Sequence, residues 1–208
     1  FLFSSSYILA HSVLSLYLIV KLTIGLSIDN GFYYDFDLGG DTISENDFSK
    51  IEKKFMFFAS QKNEFKIRFL SKLDAEEYYK KEKNPYKLEL IEGLKDGEIS
   101  FCDHSNFSDL CKGGHIPHTG LVKAIKLTNI AGAYWKGDEK NKQLTRIYGI
   151  SFPKQKLLNY YNTLIEEANI RDHRKIGKEL NLFTFSSRVG LGLPLWLPKG
   201  TDLKNRLE

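Results

Sequence analysis

The segment that decides the fold is residues 121–152, LVKAIKLTNIAGAYWKGDEKNKQLTRIYGISF. Two runs rich in apolar and aromatic residues, 121–135 and 144–152, flank a turn rich in glycine and charged residues. Runs of this composition that are separated by Gly- and Asp-rich turns are typical of paired strands. Residues 86–91 and 98–101 have the same character, so we predict a mostly antiparallel sheet.

Helices are predicted on either side of these strands. Ser44 and Asp47 have the spacing of a capping box, in which two side chains satisfy backbone N–H groups at a helix N-terminus. The apolar residues after this box recur at intervals of three and four, as they do on one face of a helix: Phe48, Ile51, Phe55, Phe58 and Ala59. Further helices are predicted at residues 8–20, 71–81 and 157–168. The expected fold class is therefore α+β, with helices packed on a mostly antiparallel sheet.

The composition is that of a soluble globular protein. Of the 208 residues, 42% are hydrophobic and 27% are charged, which excludes the disordered and fibrous classes. The formal net charge of +4 permits an anionic partner but is modest for a dedicated nucleic-acid binder. Two cysteines are too few for a disulfide framework, so we expect a reducing, cytoplasmic environment.

The first 20 residues contain no acidic or basic side chain. A signal peptide or a membrane-anchored segment is therefore one interpretation. Several serines interrupt the apolar run, however, and neither a basic region before it nor a small-residue cleavage pattern after it is present. We expect instead a buried helix over residues 8–20, leading through Gly25 to a strand at residues 31–36, and no membrane association.

The sharpest candidate for chemistry is DLCKGGH at residues 109–115. It sets Cys111 and His115 four residues apart, and Gly113 and Gly114 permit a tight turn between them. Such a pair can bind zinc, or it can act as a nucleophile and its base. A structural zinc site needs four ligands, and the sequence has no second Cys-x-x-Cys or His-x-x-x-His pair, so no metal is expected. Besides the nucleophile and its base, a further interpretation is a cysteine and a histidine that are simply packed in a polar turn.

Other side chains have both a binding and a structural interpretation. Lys87 lies in a predicted strand, on the side opposite its neighbours, where a lysine is usually solvated. Tyr34 and Tyr134 can stack on bases or ribose, although aromatic residues in strands more often belong to the core. Arg171 and Arg174 belong to a basic run that can contact phosphate groups or can simply be solvated.

Eight short strings together resemble those of one enzyme family, the threonyl-tRNA synthetases. They are IG at 24–25, IDNGFYYD at 28–35, PYK at 85–87, DLC at 109–111, AGAYWKGD at 131–138, RIYG at 146–149, RDHRKIG at 171–177 and LPLWLPKG at 193–200. They occur in the family's order and span nearly the whole chain. The sequence is therefore identified as a member of this class II family, running from its editing domain, the second N-terminal domain, into its catalytic domain.

The resemblance implies the fold of the second additional (editing) domain that threonyl- and alanyl-tRNA synthetases share. Residues 1–168 then correspond to the editing domain, residues 169–185 to a helical linker and residues 186–208 to the start of the catalytic domain. The chain is accordingly expected to be a fragment of a longer enzyme.

The resemblance also implies a function. The parent protein would attach threonine to tRNA(Thr) using ATP, and the editing domain would hydrolyse the ester bond of mischarged seryl-tRNA(Thr). ATP, Mg²⁺ and Zn²⁺ are expected for the catalytic domain, and no cofactor is expected within these residues. The expected partners are the acceptor end of tRNA(Thr), the remainder of the synthetase and a second copy of the protein, bound through the catalytic domain.

Site residues follow from the family's motifs, in which a His-x-x-x-His pair on the first helix accompanies a Cys-x-x-x-His pair on a later loop. Cys111 and His115 match the second pair, and Lys87, Tyr34 and Asp109 match an assisting lysine, tyrosine and aspartate. The resemblance therefore implies catalytic roles for Cys111, His115, Lys87 and Asp109. It implies roles in substrate or tRNA binding for Tyr7, His11, Tyr34, Tyr134, Arg171 and Arg174.

The first histidine pair is missing, since Phe3 and Tyr7 take its two positions. Phenylalanine cannot transfer a proton, and a tyrosine with a pKa of about 10 is a poor base at neutral pH. We therefore expect impaired activity. His11 lies one helical turn after Tyr7 on the same helix face, which leaves partial substitution by His11 as an alternative. Leu26 and Gly114 also stand where the family has prolines. The alternatives are a non-catalytic domain that still binds the tRNA acceptor arm, and a free-standing editing protein.

Overall fold

The computed structural model of this protein describes residues 1–186, 188, 190 and 192–207. Residues 187, 189, 191 and 208, which fall in the predicted segment 186–208, lie outside the described residues. Two compact units divide the chain, residues 1–158 and residues 159–208, and the boundary falls within one helix.

The first unit contains two antiparallel sheets with helices around them. The strands are β1 (Lys21–Ile28), β2 (Gly31–Asp37), β3 (Lys66–Phe69), β4 (Ser100–His104), β5 (Phe107–Leu110), β6 (Ala124–Tyr134) and β7 (Gln143–Phe152). The helices are α1 (Leu2–Leu16), α2 (Phe48–Ser60), α3 (Lys72–Lys81), α4 (Pro85–Glu92) and α5 (Gln155–Ile170), the last of which crosses the boundary. One sheet has the strand order β1-β2-β7-β6 and the other the order β3-β4-β5. The predicted α+β class is confirmed.

The antiparallel pairing predicted for residues 121–152 is also confirmed. β6 pairs with β7 from Ala124 opposite Phe152 to Tyr134 opposite Gln143, with one irregularity after Leu127. The capping box of Ser44 and Asp47 is present, in a short 3₁₀ turn directly before α2. The N-cap of α3 is present as well, because the Ser71 hydroxyl accepts the backbone N–H of Asp74 at 3.1 Å. These predictions succeed because caps and apolar periodicity are signals carried by residues that are close together in the sequence.

α1 lies at the centre of the main core. Its apolar residues Ile8, Leu9 and Val13 are fully buried, and so are its serines at positions 4, 5, 6 and 12. The Ser12 hydroxyl donates to the Ile8 carbonyl at 2.6 Å, which satisfies a polar group that would be costly to bury alone. Among the described residues, the structure has no helix that combines the length and the apolar character needed to cross a membrane.

The predicted helix at residues 8–20 is too long, because α1 ends at Leu16 and a strand, β1, comes after it. Gly25 lies inside this strand, at an irregularity in its pairing with β2. A Cβ atom on Gly25 would lie 2.2 Å from Cδ2 of the Tyr34 ring, so only glycine permits this contact. The predicted strand at residues 31–36 is confirmed as β2.

The predicted strand at residues 86–91 is wrong, since these residues belong to α4. Asn84 is the N-cap, and its side-chain oxygen accepts the backbone N–H of Lys87 at 3.2 Å. Pro85 takes the first helical position, where no N–H is needed. The Asn84 amide also donates to the Leu22 carbonyl at 2.8 Å, which holds the start of α4 against β1. Lys87 is consequently turned into the core, with 3% of its surface exposed, rather than solvated.

The second unit contains α6 (His173–Glu179), β8 (Phe183–Phe185), β9 (Pro194–Trp196) and α7 (Pro198–Leu207). β8 and β9 pair antiparallel, with Phe183 opposite Trp196. The segment 169–185, expected to be helical, therefore ends in a strand. Gly177 explains the close approach of this strand to α6, because a Cβ atom there would lie 2.2 Å from the Phe183 ring.

His11 and His104 form a buried pair in the core of the first unit. His11 Nδ1 lies 3.3 Å from His104 Nε2, and the Phe58 ring stacks on His11 with the two centroids 3.6 Å apart. Burial lowers the pKa of His11 to about 4 and that of His104 to about 3. Both imidazoles are therefore neutral in the folded protein at physiological pH.

We expect the free energy of unfolding to fall as the pH is lowered from about 6.5 towards about 4. In this window the unfolded chain protonates both histidines while the folded chain protonates neither, so acid favours unfolding. Urea unfolding at neutral and mildly acidic pH measures the effect. The variant His11→Phe/His104→Phe serves as the comparison and should lose less stability on acidification. An equal loss of unfolding free energy in both proteins would contradict the lowered pKa values of His11 and His104.

Candidate functional site

A cleft of about 460 Å³ opens in the first unit, beside α1, β1, α4 and the end of β5. Its volume lies within the range of about 300–1,000 Å³ that is usual for small-molecule sites. Most of the lining is apolar, and the polar side chains at its inner end include Tyr34, Lys87, Asp109 and Cys111. A more open depression of about 570 Å³ lies over α2, but it contains none of the predicted site residues. The cleft beside α1 is therefore the candidate site.

Asp109 is the centre of a buried polar network. Its carboxylate is 1% exposed, and Lys87 Nζ lies 2.7 Å from one of its oxygens and 2.8 Å from the other. The hydroxyl groups of Tyr34 and Tyr79 donate to the same carboxylate at 2.7 Å and 2.9 Å. Tyr79 in turn accepts the backbone N–H of Leu110 at 2.8 Å. The structure thus brings together three predicted site residues, Lys87, Asp109 and Tyr34.

Tyr79 is a site residue that the sequence motifs did not indicate. It follows Ala75 by four residues on α3, and both are buried, so the helical spacing does identify it as inward-facing. Burial raises the pKa values of Tyr34 and Tyr79 well above 10, and the charge of Asp109 raises them further. Both tyrosines therefore remain protonated hydrogen-bond donors, which is the form that stabilises the carboxylate.

Cys111 and His115 meet across a turn that follows β5. The Cys111 backbone N–H donates to the Ser100 carbonyl at 2.8 Å, which continues the pairing of β4 with β5. Gly113 and Gly114 then adopt φ angles of +89° and +82°, which side chains other than hydrogen disfavour. The turn returns His115 to the cysteine, with His115 Nε2 2.9 Å from Cys111 Sγ. The pair is thus an interacting thiol and imidazole rather than two residues that merely share a turn.

The environment of Cys111 favours its thiolate form. A hydrogen bond from the Cys102 thiol is the main cause that lowers the pKa of Cys111, and burial opposes it. His115 and the backbone N–H of Gly113, which lies 3.0 Å from Sγ, lower it further. The same contact and burial raise the pKa of Cys102. Cys102 was not a predicted site residue, because only the pairing of β4 with β5 brings it beside Cys111.

Phe3 and Tyr7 lie against His115, on the face of α1 that borders the cleft. The Phe3 ring stacks on the imidazole with the centroids 5.0 Å apart, and the Tyr7 ring meets it edge-on at 4.5 Å. The Tyr7 hydroxyl donates to the Leu110 carbonyl. Burial raises the pKa of Tyr7 well above 10, with a smaller contribution from the charge of Asp109. Tyr7 is therefore no proton acceptor at neutral pH.

The remaining predicted residues do not join this cluster. His11 is not among the described residues that line the cleft, since it packs against Phe58 and Phe107. Tyr134 is half-exposed at the end of β6. Arg171 and Arg174 belong to the second unit, where they pair with Glu167 and Asp172 on the surface.

Neither of the two positions at which the family has proline, Leu26 and Gly114, is crowded. Leu26 is partly exposed and lines the cleft from β1. Gly114 faces open space, so its own side of the turn is not crowded. Its φ of +82° is one that proline cannot adopt, so this turn differs in backbone conformation from one with proline at this position.

Known proteins resemble this chain over nearly its whole length. Residues 99–148 match the family described as the threonyl and alanyl tRNA synthetase second additional domain. Over 205 residues, or 99% of the chain, the sequence is 60% identical to a threonine–tRNA ligase of Flavobacterium psychrophilum. The corresponding identities are 58% to the threonine–tRNA ligase of Flavobacterium johnsoniae and 56% to that of Cytophaga hutchinsonii. The chain spans about a third of these relatives, 31% of the first two and 32% of the third.

We expect Lys87→Met to lower the free energy of unfolding by about 3–5 kcal/mol, because it leaves the buried Asp109 carboxylate without its counter-charge. The double variant Lys87→Met/Asp109→Asn, which removes both charges, should lose less than the sum of the two single variants. Lys136→Met is the control, since its ion pair with Glu89 is half-exposed and should contribute only about 0–1 kcal/mol. Urea unfolding of these variants measures the energetic coupling between Lys87 and Asp109. If the losses of the two single variants add up to that of the double variant, the two side chains are not coupled.

Proposed function

The chain carries the second additional domain of the threonyl-tRNA synthetases, and on this premise we propose that its cleft hydrolyses the ester bond of seryl-tRNA(Thr). The relatives are named threonine–tRNA ligases, and such a ligase must reject serine, which lacks one methyl group of threonine. One methyl group supplies only about 1–3 kcal/mol of discrimination in a binding pocket. A second, hydrolytic site removes the serine that is attached to tRNA(Thr) because of this limited discrimination.

The observation that carries the proposal is the contact between Cys111 and His115 at the wall of the cleft. Their Sγ and Nε2 atoms are 2.9 Å apart, and Cys111 lines a space of about 460 Å³. A thiol and an imidazole at this distance can share and transfer a proton. Ester hydrolysis needs a group of this kind, together with a space that accepts the aminoacyl group.

In the proposed reaction, the oxygen of a water molecule attacks the ester carbonyl carbon. The Cys111–His115 pair accepts the proton that the water loses, and it returns a proton to the ribose oxygen as the ester C–O bond breaks. The products are serine and tRNA with a free terminal hydroxyl group. The lowered pKa of Cys111 gives the pair a negative sulfur, which also attracts the ammonium group of the seryl moiety.

Lys87 and Asp109 act in this proposal as positioning residues. The Lys87 ammonium group already contacts both oxygens of the Asp109 carboxylate, so the ion pair is internally satisfied. Asp109 precedes Cys111 by two residues and lies on the same side of β5, so the network fixes where the thiol enters the cleft. Tyr34 closes the inner end of the cleft between the ion pair and Gly25.

Residues outside the cleft serve tRNA binding in the same proposal. Tyr134, Arg171 and Arg174 present exposed aromatic or cationic groups that can contact the acceptor arm. For a longer protein that contains this domain, the premise implies threonylation of tRNA(Thr) with ATP, and Mg²⁺ and Zn²⁺ in a catalytic domain. It also implies dimerisation through that domain and a cytoplasmic location.

Phe3 and Tyr7 favour a slow reaction and support a second candidate function. Both rings pack on His115, and neither side chain transfers a proton at neutral pH. A domain of this kind can bind the acceptor end of tRNA(Thr) without hydrolysing the ester. The two candidates differ in whether the Cys111–His115 pair alone supports turnover.

The test is the rate at which the chain releases serine from seryl-tRNA(Thr), compared with the rate without protein. We expect acceleration by the chain and a loss of about 100-fold in Cys111→Ala, which is the usual scale for removal of a proton-transfer group. Phe3→His/Tyr7→His should increase the rate, because imidazoles would then face His115. Threonyl-tRNA(Thr) is the control substrate and should be released no faster than without protein.

Two results would contradict this assignment. If Cys111→Ala is as active as the unmodified chain, the thiol has no part in the reaction. If the chain binds tRNA(Thr) but does not accelerate serine release, and the double histidine variant does, the non-catalytic function is correct for the unmodified chain.

A further inference from the structure

Ser4 lies behind the Cys111–His115 pair, in the first turn of α1, and is fully buried. Its Oγ atom is 3.1 Å from His115 Nδ1, the imidazole nitrogen that does not face Cys111. We propose that Ser4 is a positioning residue whose hydroxyl group donates to Nδ1 and so keeps the hydrogen of the neutral imidazole on Nε2, towards the sulfur. The inference rests on the proposed hydrolysis for its catalytic consequence, whereas the position of the hydrogen is testable without tRNA.

The direction of this hydrogen bond follows from the partners of the Ser4 oxygen. Ser4 Oγ accepts the backbone N–H of Ile116 at 3.0 Å, and an N–H group cannot accept a hydrogen in return. In the part of the chain that the structure describes, His115 Nδ1 is the only acceptor within hydrogen-bond distance of this hydroxyl group. Bulk water does not reach Ser4, and a buried hydroxyl hydrogen without an acceptor costs free energy. The Ser4 hydroxyl therefore donates to Nδ1.

This donation determines which tautomer of His115 is present. A neutral imidazole carries one hydrogen, and its other nitrogen accepts through a lone pair. Because Nδ1 accepts from Ser4, the ring hydrogen is on Nε2, which lies 2.9 Å from Cys111 Sγ. The imidazole thus donates to the sulfur. Such a donor favours the thiolate, in agreement with the contribution of His115 to the lowered pKa of Cys111.

Three donors then converge on the Cys111 sulfur. They are His115 Nε2–H, the Gly113 backbone N–H at 3.0 Å and the Cys102 thiol. In the other tautomer, a lone pair of Nε2 would face the negative sulfur and repel it. An anionic sulfur is the form that attracts the ammonium group of the seryl moiety in the proposed reaction. Ser4 therefore supports this form from the far side of the imidazole, without lining the cleft.

The other neighbours of the His115 ring hold its position but not its hydrogen. The rings of Phe3 and Phe65 stack on the imidazole, with centroids 5.0 Å and 4.7 Å away. The Tyr7 ring meets it edge-on, and the Tyr7 hydroxyl donates to a backbone carbonyl instead. Loss of the Ser4 hydroxyl should therefore leave the ring in place and release only the constraint on its tautomer.

¹⁵N NMR of the chain labelled at its histidines measures where this hydrogen lies. Protonated and unprotonated imidazole nitrogens differ widely in chemical shift, and the signals that disappear in His115→Gln identify this residue. At neutral pH we expect a protonated Nε2 and an unprotonated Nδ1 in the unmodified chain. A protonated Nδ1, in a neutral or in a charged ring, would overturn the proposal even if every Ser4 variant fails to fold.

Variants of two buried serines on α1 separate the hydroxyl group from helix packing. Ser4→Ala should give the His115 signals of a mixture of tautomers, and Ser4→Thr, which keeps a hydroxyl group, should restore the unmodified pattern. Ser12→Ala is the matched control, because it removes a buried hydroxyl that donates to the Ile8 carbonyl. Unchanged His115 signals in Ser4→Ala would overturn the proposal, and so would an equal change in Ser12→Ala.

The rate of serine release from seryl-tRNA(Thr) tests the consequence for the reaction. Ser4→Ala should lower it about 10-fold, the usual scale for the loss of one hydrogen bond. Ser4→Thr and Ser12→Ala should stay close to the unmodified rate. An unmodified chain that releases no serine would contradict hydrolysis, while the NMR result still decides the position of the hydrogen. A changed tautomer with an unchanged rate would contradict the role of Ser4 in the reaction.

Discussion

The buried ion pair between Lys87 and Asp109 is the interaction on which the site depends. Two charges removed from water are stable only when each is neutralised and fully hydrogen-bonded. Here the partners come from separate elements: Lys87 from α4, Asp109 from β5, Tyr34 from β2 and Tyr79 from α3. The position of each element is therefore constrained by one carboxylate. Cys111 follows that carboxylate by two residues, so the same constraint determines where the thiol lies.

Charge balance in the cleft results from this arrangement. Lys87 neutralises Asp109, which allows a second negative group, the Cys111 sulfur, to form close by. Without the lysine, the two anions would repel each other in a region of low dielectric constant. Phe3 and Tyr7 add apolar surface on the other side of His115 and no charge. The site is thus polar at one wall and apolar at the other.

Local signals in the sequence predicted α2, α3 and the pairing of β6 with β7, since caps and periodic apolar residues act within a few positions. The error at residues 86–91 has a physical cause. Alternation there resembles a strand, but Asn84 and Pro85 are a helix start, and burial of Lys87 against Asp109 stabilises that helix. Cys102 and Tyr79 could not be identified as neighbours of the site from spacing, because strand pairing and helix packing bring them there.

Ser4 links α1 to the turn after β5 through a single oxygen atom. That oxygen contacts both His115 and Ile116, while the next helical turn carries Tyr7 onto the same imidazole. Each residue added to an α-helix rotates the later side chains by about 100° around the helix axis. One residue inserted between Ser4 and Tyr7 would therefore carry one of them off the histidine. The spacing of three residues between Ser4 and Tyr7 is therefore as necessary to these contacts as the two side chains themselves.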